Sequence, residues 1–168
     1  AGCIDEKHGI QKVTVNGKFM GWYYFSSNGN ILFDRWVSDR YYKADGSMAS
    51  GVTKIGNKYY FFQRSSAKAY RGKVYKSQWI KFNNKYYCAS SSGALYVNGW
   101  RRISCGGQKY YFYFKNCVAL TNRRIKRGDT YGTLDERGRF IEAGWVVVNS
   151  SRNLVRYMDP KTGKYVFN

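Results

Sequence analysis

Apolar positions along this chain fall in short, ring-rich runs of about four to six residues, bounded by Gly, Asn and Asp, which is the pattern of strands and tight turns. No stretch sustains a 3.6-residue period over about eleven or more positions, so no long helix is expected. The clearest run is Gly99-Trp100-Arg101-Arg102-Ile103-Ser104-Cys105-Gly106-Gly107-Gln108-Lys109-Tyr110-Tyr111-Phe112. It reads as a strand, a Gly-Gly turn and a second strand. Gly106-Gly107 supports a hairpin because primed turns need positive φ.

The same phrase recurs in altered copies. Val15-Asn16-Gly17-Lys18 leads into Gly21-Trp22-Tyr23-Tyr24-Phe25 and an Asn28-Gly29 turn. Arg35-Trp36-Val37 precedes Tyr41-Tyr42 and an Asp45-Gly46 turn. Gly51-Val52 opens a third copy through Lys58-Tyr59-Tyr60-Phe61, whose second turn, near Arg64-Ser65-Ser66, is read as having lost its glycine. Trp79-Ile80 with Lys85-Tyr86-Tyr87 makes a fourth, and the run from Gly99 a fifth. Tyr131 to Phe140 and Gly144-Trp145 to Tyr165 complete the series without a Tyr pair. A lone hairpin is marginal in water, whereas stacked hairpins bury a shared seam of rings. The expectation is therefore an all-β solenoid of about seven stacked β-hairpin repeats over 15–168, after an N-terminal segment of uncertain structure over 1–14.

Composition sharpens this picture. The 168 residues carry 29 Lys+Arg against 10 Asp+Glu, a formal charge of +19, with 19% aromatic residues. Disordered polycations lack such ring content, so the chain reads as folded, and its charge points to a polyanionic partner or surface. No apolar run is long enough for a membrane-spanning helix. No leader is legible, which leaves a mature, a trimmed or a cytosolic chain. Cys3, Cys88, Cys105 and Cys117 form no CxxC, which argues against zinc and leaves free thiols and disulfides both open. No cofactor is expected.

The motif Gly-Trp, short strand, glycine turn, Lys-Tyr-Tyr-Phe, then Asp/Asn-x-Gly-x-Met/Leu resembles the cell-wall-binding repeats. That superfamily includes choline-binding repeats of Gram-positive surface proteins, glucan-binding repeats of glucansucrases and receptor-binding repeats of clostridial toxins. The resemblance implies a secreted or cell-surface β-hairpin solenoid that binds wall polymer or glycan. In choline binders it implies a cage built from the Trp of Gly-Trp, the first ring of a Trp-Tyr-Tyr triplet and a Tyr of the next repeat. Rings hold a quaternary ammonium by their negative faces. Here only Trp22-Tyr23-Tyr24 keeps that triplet. Arg40, Lys58, Lys85 and Lys109 stand at the first triplet position elsewhere, where a cation would repel choline.

The candidate ligand-stacking residues are Trp22, Trp36, Tyr41, Tyr59, Trp79, Tyr86, Trp100, Tyr110 and Trp145. Each Trp has two readings, ligand platform or packing between hairpins. One Tyr of each pair should point inward and its neighbour outward. The candidate basic contacts are Lys85, Arg101, Arg102, Lys109, Arg123 and Arg124, and Lys68, Arg71, Lys73 and Lys76 form a further cluster. Such cations suit teichoic acid, a sulfated glycan, nucleic acid or an anionic membrane, although no nucleic-acid motif is present. An enzyme is not expected. His8 is the only histidine, and Asp45, Asp135 and Asp159 sit at turn positions that favour Asp for backbone bonding. The expected function is a non-catalytic module attaching a secreted protein to bacterial cell-wall polymer or glycan. The alternatives are a stand-alone cationic protein binding polyanions or membranes, and a targeting fragment of a larger secreted hydrolase or toxin.

Overall fold

The computed structural model describes residues 8–67, 71–149, 151 and 154–166, and the described residues contain strands and turns but no α-helix. Cys3 and Lys68 lie outside them. The strands form seven hairpins: β1 (Gly9–Val15) with β2 (Lys18–Phe25), β3 (Arg35–Val37) with β4 (Arg40–Tyr42), β5 (Gly51–Ile55) with β6 (Lys58–Phe62), β7 (Gln78–Phe82) with β8 (Lys85–Ala89), β9 (Gly99–Cys105) with β10 (Gln108–Lys115), β12 (Arg123–Arg127) with β13 (Thr130–Leu134), and β15 (Trp145–Asn149) with β16 (Leu154–Met158). The strands β11 (Val118–Ala119), β14 (Phe140–Glu142) and β17 (Tyr165–Val166) pair back onto β10, β13 and β16. Single bridges do the same in the other copies, Phe25 to Ile31, Tyr42 to Met48, Phe62 to Val74 and Ala89 to Leu95. Each repeat is thus a hairpin, a second turn and a short returning segment.

The turn chemistry explains the registers. Asn16-Gly17, Asn83-Asn84 and Gly106-Gly107 all take positive φ, so each joins its strands by a tight turn of the primed kind. The second turns share another lock. The amides of Ser26, Lys43, Ser90, Asp135 and Asp159 donate to a carbonyl four or five residues on, while their own carbonyls accept from Gly29, Gly46, Gly93, Gly138 and Gly163, all at 2.7–3.0 Å. In the third repeat the pair is Gln63 N–H to Lys73 and Gly72 N–H to Gln63, at 2.8 and 2.9 Å. That corrects one expectation: the glycine is not lost but stands at Gly72, after a longer loop. Residues 9–14, which carry no legible pattern, form most of β1.

The chain divides into two compact units. The first comprises the described residues up to Gln78 together with Ala89–Leu95. Tyr41, Ala49, Phe62 and Val74 form its core, with Ile55 and Tyr60 against them. Returning segments reach the preceding hairpin here: Met48 N–H donates to Trp22 O at 2.6 Å, Val74 to Asp39 and Leu95 to Tyr59, both at 2.8 Å. Nearest-neighbour bonding of this kind makes stacked repeats stable where one hairpin is not. The second unit comprises Trp79–Cys88 and the described residues from Tyr96. Cys88, Phe112, Phe114 and Ala119 form its core, flanked by Trp79, Tyr86, Tyr96, Ile103 and Tyr110. Cys88, Cys105 and Cys117 are free thiols.

Candidate functional site

The aromatic candidates separate by what their rings touch. Trp79 packs against the core: it lies on Phe112 at 4.7 Å and stacks on Phe114 at 5.9 Å, and its Nε1–H is buried without a partner among the described residues. Tyr86 packs against that core, with Lys81 Nζ 5.5 Å from its ring centre. Trp100 is half-buried, edge-on to Tyr113 and Phe140. Trp36 is 39% exposed and meets Tyr41, Tyr60 and Phe62 on its inner side. Trp145 is 70% exposed and touches Tyr157 edge-on.

The expected alternation is absent at Tyr41-Tyr42. Tyr41 and Tyr42 are both buried, so Tyr41 has no free ring face. The hydroxyl of Tyr41 donates to Asp34 Oδ1, a bond that pushes its pKa up to about 12. Tyr42 is raised to about 12 by burial, and its hydroxyl has no partner among the described residues. The reason lies in short β4, which returning Met48 and Ala49 cover. Tyr59 and Tyr110 are half-buried; Tyr110 donates to Gln108 Oε1 at 2.5 Å.

All six basic candidates are exposed: Lys85, Arg101, Arg102, Lys109, Arg123 and Arg124. Several cations lie over rings. Arg101 stands 5.5 Å from Tyr96, Arg102 5.7 Å from Tyr111, and Arg139 5.2 Å from Tyr110. Arg127 sits 3.4 Å from Tyr111. Arg124 donates to Gly163 O at 2.6 Å, so it also ties the sixth repeat to the seventh.

In the first unit an open cavity of about 540 Å³ surrounds Trp22, where the guanidinium of Arg71 lies 3.7 Å from the indole centre. Phe19, Met20, Met48 and Arg64 also line it. The sequence marks Trp22 by its triplet and Arg71 by its basic cluster. It carries no signal that the two meet, because only the third repeat's second turn brings Arg71 back.

Three aspartates serve the turns. Asp45 Oδ1 accepts from Ser47 N–H at 2.9 Å and Ser47 Oγ at 2.7 Å, Asp135 Oδ1 from Arg137 and Arg139 N–H, and Asp159 Oδ1 from Lys161 and Thr162 N–H. The Ser47 hydroxyl first, then its amide, holds the Asp45 carboxyl below the usual range. Among the described residues no group of His, Cys, Asp and Glu is arranged to hold a metal ion.

No family model matches the chain. Glucosyltransferase-S of Streptococcus mutans serotype c is 28% identical over 163 residues, and Glucosyltransferase-I of Streptococcus downei 23% over 173. These alignments cover 93% and 97% of this chain, which spans about a tenth (10%) of the length of each relative. Among solved structures, the choline-binding domain of CbpL from Streptococcus pneumoniae aligns at TM-score 0.56 and 23% identity, over 95% of this chain and 78% of its own. Choline binding protein F from the same organism aligns at TM-score 0.61 and 22% identity, over 96% and 48%. The likeness read from the repeats is thus present twice, to streptococcal glucosyltransferases in sequence and to choline-binding repeat proteins in fold.

Proposed function

We propose that this chain is a non-catalytic binding module that holds the protein bearing it on a bacterial cell-wall polymer or glycan. Its fold is that of the choline-binding domain of CbpL, and it is similar to a short part of two glucosyltransferases. The observation that carries the reading is a hairpin array with exposed ring surface at Trp36 and Trp145 and exposed cations at every stage. Rings stack on the apolar faces of sugars, while Lys and Arg draw in anionic polymer. Asp45, Asp135 and Asp159 are committed to turn amides, Asp34 to the Tyr41 hydroxyl and Asp39 to Lys76, which supports binding by these positions rather than hydrolysis, since glycoside cleavage needs a facing carboxylate pair. Such a module acts outside the cell, secreted or on its surface, and serves as the targeting part of a larger protein.

The test is binding to an array of glycans and wall polymers, teichoic acid included, at low and at moderate salt. Salt-tolerant retention that a soluble glycan competes away is the expected result. The charge of +19 favours a second reading, a cationic protein on polyanions or anionic membranes. Retention that vanishes at moderate salt with no glycan competition would replace the first reading by the second.

A further inference from the structure

We infer that the cavity around Trp22 is a subsite for an acidic sugar, a pyranose bearing a carboxylate or phosphate. The inference rests on the reading of the array as a glycan-binding module and names what one of its sites selects. The indole of Trp22 is the surface on which an external cation would be held. It already carries a cation of this chain, the Arg71 guanidinium at 3.7 Å. A quaternary ammonium entering beside it would meet a like charge in partly desolvated surroundings, where repulsion is strong. An anion meets the opposite situation. Arg71 and Arg64 both line the cavity, and among the described residues no Asp or Glu does. Arg71 donates from Nη2 to the Ser66 carbonyl, and among the described residues no carboxylate pairs with it. A guanidinium has five N–H donors, so donors remain for a ligand oxygen, as charge-assisted bonds of the stronger kind.

The rest of the cavity suits the body of a sugar. Phe19 and Met20 are 51% and 49% exposed at its rim and offer apolar surface to a pyranose C–H face. The volume, about 540 Å³, is that of a small-ligand cleft. The guanidinium is also held in place. It lies 3.7 Å from the indole centre and donates from Nη2 to the Ser66 carbonyl, while the backbone carbonyl of Arg71 accepts from Arg40 Nε at 2.8 Å. A neutral sugar would cover Phe19 but leave the Arg71 donors without an anionic partner.

The test is calorimetric titration of the whole chain with glucose 6-phosphate, glucuronate, glucose, inorganic phosphate and choline. The acidic sugars should bind, with glucose and choline, which lack the anion, each weaker by about tenfold or more, the worth of one charged hydrogen bond, and inorganic phosphate weaker because it leaves the apolar rim uncovered. Whichever acidic sugar binds tighter identifies the anionic group. Arg71→Gln should weaken acidic-sugar binding by about tenfold or more on the same basis, and Arg71→Lys by less. The Arg71 Nε–H resonance of the unsubstituted chain should move with acidic sugars but not with glucose or choline, which keeps the inference testable should Arg71→Gln fail to fold. Choline or inorganic phosphate binding as tightly as glucose 6-phosphate would overturn it, as would a folded Arg71→Gln chain with undiminished affinity. Polymer retention by the unsubstituted chain with no acidic-sugar binding would remove this subsite and leave the module reading intact. Loss of all polymer retention would remove the module reading itself.

Discussion

Phe114 and Trp145 show how far apart two rings of one array can stand. Phe114 is fully buried against Trp79 and Tyr96, whereas Trp145 is 70% exposed. Truncating Phe114 to Ala should cost about 3–5 kcal/mol in a denaturant titration, because the cavity adds to the lost transfer energy. Trp145→Ala should change stability by no more than about 0.5 kcal/mol yet reduce retention on glycan. The phenols make a separate test. Tyr41 and Tyr42 are raised to about 12 against an ordinary value of 10, the first by its bond to Asp34 and the second by burial. Their folded pKa lies above the unfolded one, so the stability they contribute is intact below pH 10 and is lost as pH rises from 10 through 12. Phenolate absorbance and circular dichroism followed together should show the fold failing in that window, and Tyr42→Phe should move the failure upward. Ring identity was legible at this scale and ring burial was not: Trp79 and Trp145 look alike in sequence.

Turns decide the elements. Gly17 and Gly72 have similar φ, 75° and 68°, but different surroundings. A Cβ on Gly17 would meet nothing within 4 Å, whereas on Gly72 it would lie 2.1 Å from Met48 Sδ. Gly17→Ala should therefore cost only the left-handed conformation, roughly 1–2 kcal/mol. Gly72→Ala should cost about 1–3 kcal/mol more from overpacking, readable as a lower denaturation midpoint. The Gly106-Gly107 hairpin was legible because two adjacent glycines specify the turn locally. The third repeat's second turn was not, since its anchor Gln63 and its closing Gly72 are separated by a longer loop. The stretch that became β1 was also opaque: its pairing with the ring-rich β2 is what makes it a strand.

Across the molecule, charge and stacking predict different salt responses. With 29 Lys+Arg against 10 Asp+Glu, the approach to an anionic polymer should slow as salt rises. Several of these cations are already placed on rings, as Arg71 on Trp22 and Arg127 on Tyr111. Salt should therefore affect association rate more than dissociation rate in surface-plasmon kinetics on teichoic acid, if the rings carry the residual hold. Dissociation that accelerates in parallel with slowed association would assign the hold to charge alone. Tyr pairs made five of the seven copies legible, and turn signals beside single rings the last two. The division into two compact units was not legible, since no change in composition marks it.

Local chemistry was thus enough for the repeat. Paired rings, glycine and asparagine turns and turn aspartates act over a few residues, so each copy announces itself in the chain. Which ring lies inside, which aspartate is committed to amides and which cation covers which indole depend on residues from other copies. Trp22 and Arg71 meet only because the returning segments bond to the hairpin before them, and that juxtaposition turns a surface suited to cations into one suited to anions.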